Sequence, residues 1–382
     1  MVFSLKPVKG KEFIGRKKLV SEMVFELSNI KSKDGFALYG IRRIGKSSVM
    51  YEVIRRLEKI DAVVPVYFSL WDLTENTLEE FSIKLSSKIL DAYKNKISLK
   101  YKVKNLRDIS IELLKQIIKE LKVSVKVKND IEFLLSFEKG RTKPDFLVEK
   151  VFGLAEELAK DTNTKCVLFL DEFPDIVDLK NGKKVGKQII NKIRTIFERY
   201  KYSVLCIAGS IRKTMDTTVL HQGSAFYGEL ICREIKPLPK KDVFDLVELH
   251  LKATKKAKEK IYTFSNGIPF YIQVVGRELL KKRKIDEKAV IEAINEFIEQ
   301  EGNLLFRERF EVFSVGEKQI ILLMSHKGKI TYSVLNSKLG KKISNISTYL
   351  SYLEEKGEIH KIEKGKYKLL DPVFGMWLKK VE

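Results

Sequence analysis

With 382 residues, 44% hydrophobic, the chain is too long for one ordinary core and apolar enough to build two or three packed units. No stretch approaches the ~18–20 uninterrupted apolar residues of a membrane span, and Met1–Gly10 lacks the apolar centre of a signal peptide, so a cytoplasmic protein without a membrane partner is expected. Lys and Arg outnumber Asp and Glu by 73 to 51, a net +22 that favours a polyanion such as nucleic acid, although a Lys- and Glu-rich surface of the kind common at high temperature accounts for the same excess.

In chain order, the first strand-like run is Phe36–Tyr39. Directly after it, Gly40-Ile41-Arg42-Arg43-Ile44-Gly45-Lys46-Ser47 fits G-x-x-x-x-G-K-[ST] and opens a helix over Lys46–Ile60, whose Val49, Val53, Ile54 and Leu57 share one face. In such a loop the glycines let the backbone curl until its N–H groups face phosphate oxygens. Lys46 would bridge the β and γ oxygens of ATP, and Ser47 would hold magnesium. The run Gly40–Ser48 is therefore the nucleotide-binding candidate for ATP or ADP, with Ser48 at its end.

A second strand is predicted over Val63–Phe68. The stretch that follows is strongly basic, with eleven Lys or Arg against four acids in Lys94–Asp130, and is taken as an insertion over about 94–140. Within it, Leu121–Lys128 alternates apolar and polar residues, and Asn129-Asp130 then precedes the apolar run Ile131–Phe137, a pattern that predicts a β-hairpin. Its basic face suits nucleic acid or plain solvent.

The third strand, Cys166–Leu170, is wholly apolar and ends in Asp171-Glu172. Asp171 would bind magnesium through water, and Glu172 would polarise the attacking water as general base. A helix over Val185–Tyr200 buries Ile189, Ile190, Ile193 and Phe197. The fourth strand, Ser203–Ala208, ends in Gly209-Ser210. Because neighbouring parallel strands deliver their C-terminal ends to one crevice, Ser210 joins Lys46 and Glu172 as a catalytic candidate, its alternative being an ordinary turn serine. Arg194, Arg199 and Arg212 are candidates for stabilising transition-state charge, from the same or a neighbouring subunit, or else for surface ion pairs. Leu230–Ile235 supplies a fifth strand. Cys166, Cys206 and Cys232 lie far apart in these runs, which suggests core residues rather than a disulfide framework or zinc cluster.

Beyond residue 236 the pattern becomes helical, with candidates Lys240–Leu251, Lys258–Phe264, Pro269–Lys282 and Asp286–Gln300. After Ser314, helices over Gly316–His326, Thr331–Leu339 and Ile343–Lys356 have helix-turn-helix spacing, with Leu339–Lys342 as the turn. Ile346, Leu350 and Leu353 form the third helix's buried stripe, while Lys342, Ser344, Asn345 and Thr348 are suited to a DNA groove. The alternating segment Glu358–Leu370, broken by Lys364-Gly365-Lys366, reads as a wing whose Lys364 and Lys366 would grip phosphate. Double-stranded DNA is the expected partner of this unit, and protein contact is the other use of such modules.

Together these motifs resemble the archaeal ATPases of the STAND class, relatives of the AAA+ proteins, over nearly the whole chain. Phe13-Ile14-Gly15-Arg16 looks like that family's N-terminal F-x-G-R box, which implies that Arg16 lies near the nucleotide. Ser265–Tyr271 looks like the G-x-P signature of its helical lid, which implies that Pro269 faces the nucleotide. Asp371–Leu378 is similar to the family's closing segment. No sensor arginine is evident in the lid, as in the STAND subgroup, and that leaves fast turnover or slow ADP–ATP switching open. The implied fold is an α/β P-loop parallel-sheet core (1–236) with a helical lid (237–313) and a C-terminal winged-helix domain (314–382). The expected activity is magnesium-dependent ATP hydrolysis coupled to DNA binding. The rival reading is a slow regulatory switch with a protein partner or a nucleotide-dependent homo-oligomer; a small-molecule kinase is disfavoured because Glu172 suits activation of water.

Overall fold

The computed structural model describes residues 3–98, 118–136, 143–210, 215, 218–219, 222–340 and 345–381. In chain order the first strands are β1 (Gly35–Gly40), β2 (Val63–Ser69), β3 (Lys165–Asp171), a two-residue hairpin of β4 (Lys180–Asn181) and β5 (Lys183–Lys184), β6 (Ser203–Ser210) and β7 (Leu230–Glu234). All but the hairpin join one parallel sheet in the order β2-β3-β6-β1-β7. β3 and β6 are buried at every position, as central strands covered on both faces must be. The register pairs Gly40 with Ser210 and Ser69 with Asp171, so the candidate residues at the strand ends come to one edge.

Alternate strand residues enter two apolar clusters. Phe36 and Leu38 face the cluster that holds α1 (Lys17–Ser28) and α2 (Lys46–Leu57), while Ala37, Leu168 and Ile207 face the other. The second cluster is covered by α3 (Leu78–Tyr93), α4 (Val125–Ser136), α5 (Pro144–Asp161) and α6 (Gly186–Phe197). Cys166 and Cys206 are buried and Cys232 half-buried; burial pushes the Cys166 and Cys206 thiols up to about 12.

The hairpin expected over 121–137 does not form, and Val125–Ser136 is helical. On a strand, Leu121, Val123, Val125 and Val127 would share one face. Val125 is instead 73% exposed while Val127, Ile131 and Leu134 are buried, which is helical recurrence. Asn129 and Asp130, read as a turn, lie mid-helix, and Asp130 is held by Lys150 on α5 at 2.5 Å. The described part of the basic insertion therefore packs into the sheet's own core, through Ile118, Leu121, Val127, Ile131 and Leu134. Residues 99–117 and 137–142 lie outside the described residues.

After β7 come α7 (Lys240–Glu248), α8 (Lys255–Ser265), α9 (Pro269–Leu279), α10 (Glu287–Phe297) and α11 (Asn303–Glu311), the helical lid. A capping box of Ser314 and Glu317 then starts α12 (Val315–Lys327), followed by β8 (Lys329–Thr331), α13 (Tyr332–Leu339), α14 (Ile346–Glu355), β9 (Ile359–Glu363), β10 (Lys366–Leu369) and α15 (Pro372–Val381). The antiparallel sheet β8-β10-β9 beside three helices is a winged helix, with the β9–β10 hairpin as wing. Its closing helix α15 turns back onto the lid, where Phe374 and Trp377 stack at 5.9 Å and pack against Phe306 of α11. The cluster that starts at β1 thus runs without interruption through the lid into the winged helix. Among the described residues, no helix is long and apolar enough to cross a membrane.

Candidate functional site

The loop between β1 and α2 has the shape its glycines predict. Gly40 has φ +158, and a Cβ there would lie 2.7 Å from the Ile235 carbonyl oxygen. Gly45 has φ +93, and its Cβ would lie 2.9 Å from Arg16 Nη1. Both positions need the missing side chain. Lys46, 5% exposed, begins α2 and turns its ammonium back over the loop, donating to the carbonyls of Gly40 (3.2 Å) and Ile41 (3.3 Å) and to Ser210 Oγ (3.4 Å). Strand order brings that serine there across 164 residues of sequence.

Ser47 Oγ donates to Asp171 Oδ2 at 2.5 Å. The same oxygen accepts from Tyr67 Oη at 2.8 Å, and Asp171 Oδ1 accepts from the Glu172 amide at 3.0 Å. Burial, followed by the Asp171 carboxylate, pushes the Tyr67 phenol well above its ordinary value, so it remains a donor. Ser47 and Asp171 offer hard oxygens at one point, the donor type magnesium takes alongside phosphate and water. Glu172 has a left-handed backbone, φ +51, and its side chain lines the same cleft as Lys46 and Ser47.

That cleft, about 370 Å³, is walled by the loop, by Trp71 and Glu172, and by Pro269 and Phe270 of the lid, and the N-terminal run Ser4–Val8 completes its rim. The rim is fastened by two hydrogen bonds, Ser4 N to Gln273 Oε1 (2.9 Å) and Val8 N to Ser48 Oγ (3.2 Å). Arg43, φ +64, lays its guanidinium over the Phe270 ring at 4.4 Å, and Arg42 lies over Trp71 at 5.9 Å. A cavity of this size with a curled loop at a helix N-terminus fits a nucleotide.

Most of the expected residues converge here. Gly45, Lys46, Ser47, Ser48, Arg42, Arg43, Glu172 and Pro269 line the cleft, and Asp171 and Ser210 touch Ser47 and Lys46. Ile44 is fully buried and serves the core. Arg16 braces the loop from behind, its Nη2 donating to the Ile44 carbonyl (2.5 Å) and the Lys236 carbonyl (3.3 Å); burial lowers its pKa to about 10 against the pull of Asp242. Arg194 sits in the last turn of α6 and pairs with Glu198 and Glu229. Arg199 follows that helix, before the N-terminal end of β6 and so at the opposite edge of the sheet from Ser210. Asn345 occupies the N-cap position of α14 without a side-chain capping bond and is exposed, Thr348 is half-buried, Lys364 is exposed at the wing's tip, and Lys366 pairs with Glu363 at 3.7 Å. Arg212, Lys342 and Ser344 lie outside the described residues.

Sequence reasoning missed Tyr67, Trp71, Gln273 and the Ser4–Val8 rim. Each depends on pairing between distant segments, and none sits in a recognisable local motif.

A family model described as an ATPase domain predominantly from Archaea matches residues 22–275. An uncharacterised protein of Methanocaldococcus jannaschii is 29% identical over 215 residues, 54% of this chain and 46% of that protein, so the chain spans about half the length of this curated relative. Among solved structures, a Walker-type ATPase of Pyrococcus abyssi superposes with a TM-score of 0.66 at 18% identity, covering 99% of this chain and 100% of that one. The Aeropyrum pernix ORC2 protein, solved as ADPNP–ADP complexes, gives 0.55 at 12% identity over 99% and 97% of the two chains. The ORC1 protein of the same organism, solved in complex with DNA, gives 0.50 at 12% identity over 98% and 94%. At these identities the likeness is one of fold.

Proposed function

The chain belongs to the family of ATPase domains found predominantly in Archaea, and from that premise we propose that it hydrolyses magnesium-bound ATP and couples the nucleotide state to duplex DNA through its winged helix. The observation that carries the hydrolytic reading is the meeting of Ser47 with Asp171 at 2.5 Å in the cleft that also holds Lys46 and Glu172. Lys46, released from the Gly40 and Ile41 carbonyls, meets the β- and γ-phosphate oxygens. Ser47 would hold magnesium, and Asp171 would hold it through water. Magnesium, when bound, neutralises charge on the phosphates. Glu172 accepts a proton from the water whose oxygen attacks the γ-phosphorus while the bond to the ADP oxygen breaks. Ser210, against Lys46, orients the γ-phosphate end, and Pro269 closes the cleft from the lid.

The division proposed is a core over 1–236, a lid over 237–313 and a winged helix over 314–382. For the DNA reading, support comes from the exposed Asn345 and Lys364, from the basic excess of residues 314–382 (thirteen Lys or Arg against seven acids) and from the fold likeness to a protein solved with DNA. By sequence, Lys342, Ser344 and Thr348 are assigned with Asn345 to DNA contact, and Lys366 belongs to the wing. A slower regulatory switch is favoured by a different observation: Tyr271, next to the cleft residue Phe270, donates to Asp371 Oδ2 just before α15 (2.6 Å), linking the lid to the C-terminal unit.

ATP turnover measured with and without duplex DNA separates the two readings, since stimulation by DNA supports the first and indifference the second. Lys46→Ala should lose both nucleotide affinity and turnover. Glu172→Gln should keep ATP and magnesium binding and turn over about 10²–10⁴-fold more slowly, the range for loss of a general base. Wild-type turnover in either variant would remove the hydrolytic reading.

A further inference from the structure

The edge strand β2 and the short turn after it carry two aromatic hydrogen-bond donors aimed at the C-terminal end of β3 and the turn that follows it. Tyr67 Oη donates to Asp171 Oδ2 at 2.8 Å, and Trp71 Nε1, in the short turn Leu70–Asp72 that extends β2, donates to Asp175 Oδ2 at 2.8 Å. Between those two carboxylates lies Glu172, and both of its peptide groups close onto the same two residues. Its N–H donates to Asp171 Oδ1 (3.0 Å), and its carbonyl accepts from the Asp175 amide (3.0 Å).

Glu172 needs such support. A left-handed backbone at a residue with a Cβ is strained and persists only where its surroundings over-determine it. From the other side, the turn that Glu172 begins is pressed on β6, since a Cβ on Gly209 would come within 2.4 Å of Pro174. Tyr67 is itself fixed by the Tyr51 ring of α2 at 4.7 Å, and Ser69 Oγ accepts from the Trp71 amide at 3.2 Å. Trp71 is 58% exposed and stands in the cleft wall, so packing alone does not explain a tryptophan there.

We propose that Tyr67 and Trp71 are positioning residues that hold Glu172 at the reacting end of the cleft, Tyr67 through Asp171 and Trp71 through Asp175. The inference rests on the hydrolytic reading of Glu172 and adds the elements that aim it. Tyr67 acts also on the metal side, because the oxygen it holds is the one that Ser47 touches.

The test uses the full chain and the variants Tyr67→Phe and Trp71→Phe, which keep an aromatic ring and delete the donor. Turnover, KM for MgATP, and the affinity for a fluorescent ADP analogue with magnesium and with chelator are measured, together with thermal midpoints. Trp71→Phe should lower kcat about tenfold, equivalent to about 1.4 kcal/mol on the barrier, with KM and both affinities within twofold of wild type. Tyr67→Phe should lower kcat similarly and also shrink the affinity gained from magnesium by about fivefold, leaving the chelator value unchanged. A merely structural role would lower the thermal midpoint and weaken binding with and without magnesium alike. That result, or a kcat within twofold of wild type in both variants, overturns the inference. Glu172→Gln, run alongside, separates the two levels. Full turnover in Glu172→Gln would remove the underlying reading, whereas an inactive Glu172→Gln beside unaffected Tyr67 and Trp71 variants would remove only this one.

Discussion

Replacing Arg309 by alanine probes the joint between lid and winged helix. Arg309, in α11, donates Nε to both Glu358 oxygens at 2.9 Å, Nη1 to Asp371 Oδ2 at 2.9 Å, and lies over the Phe374 ring at 4.4 Å. The three side chains are only 17%, 8% and 15% exposed. Burial by itself would lower the Arg309 pKa, but Glu358 and Asp371 outweigh it and push the value up, so the guanidinium stays charged. Removing one partner of a buried pair costs about 3–5 kcal/mol, because a carboxylate is left behind without its counter-charge. Asp371 retains the Tyr271 hydroxyl and the amides of Val373 and Phe374. The penalty therefore falls mainly on Glu358 and belongs near the low end, about 3 kcal/mol, with roughly 1 kcal/mol more for the lost stacking on Phe374. Urea unfolding followed by Trp377 fluorescence in a Trp71→Phe background reads this joint directly, since Trp377 stacks on Phe374 and these are the chain's two tryptophans. Arg309→Met combined with Glu358→Leu should recover stability to within about 1 kcal/mol, because a packed apolar pair replaces the Arg309–Glu358 ion pair while Asp371 keeps the Tyr271 hydroxyl and two backbone amides. A loss below about 1 kcal/mol in Arg309→Ala would refute the reasoning.

Tyr271→Phe deletes the hydroxyl that joins the lid to Asp371 while keeping the ring; nucleotide affinity should hold, and any nucleotide-induced change in hydrogen exchange over 359–381 should diminish, with an unchanged response counting against this link. Burial opposes ionisation of Glu52, but Arg55, the Gly10 amide and Arg56 outweigh it and hold its carboxyl down at about 2, against an ordinary 4.5. A depressed carboxylate stabilises above its unfolded pKa, so the stability gap between wild type and Glu52→Gln should be full above about pH 4.5 and close as pH falls towards 2, as measured by unfolding across that range. Lys364→Ala with Lys366→Ala should weaken binding to all duplexes alike and flatten log affinity against log salt by up to ~0.9 per lost phosphate contact, whereas Asn345→Ala or Thr348→Ala should change discrimination among duplexes at nearly constant slope, both read by anisotropy titration. If the intact protein binds no duplex at low salt, the wing's lysines are solvated surface.

Much of the fold and site is legible in the chain because it is encoded locally. The loop Gly40–Ser47 needs its residues at fixed spacing on a strand-to-helix turn, and β3 needs an apolar run ending where Asp171-Glu172 stands, so contiguous text carries both. The five sheet strands are short apolar runs between turn signals for the same reason. The helix Val125–Ser136 escaped because Val123, Val127 and Ile131 recur at four residues, a spacing that short period-2 alternation also contains. Helices α3 and α5 were lost beside the basic insertion, although each has an apolar face buried in the second cluster.

The sequence alone determined the phosphate loop, the acidic strand end, the lid proline and the helix-turn-helix spacing, since each is a property of neighbours along the chain. Only tertiary structure decided that Tyr67 and Trp71 hold the carboxylates flanking Glu172, that Arg16 braces the loop from behind, and that Asp371 ties Tyr271 to Arg309. Those pairs are separated by up to 104 residues, and what brings them together is strand order, register and the return of α15 onto the lid. A hydrogen bond needs its two atoms about 3 Å apart, and no periodicity in either segment specifies that distance to the other.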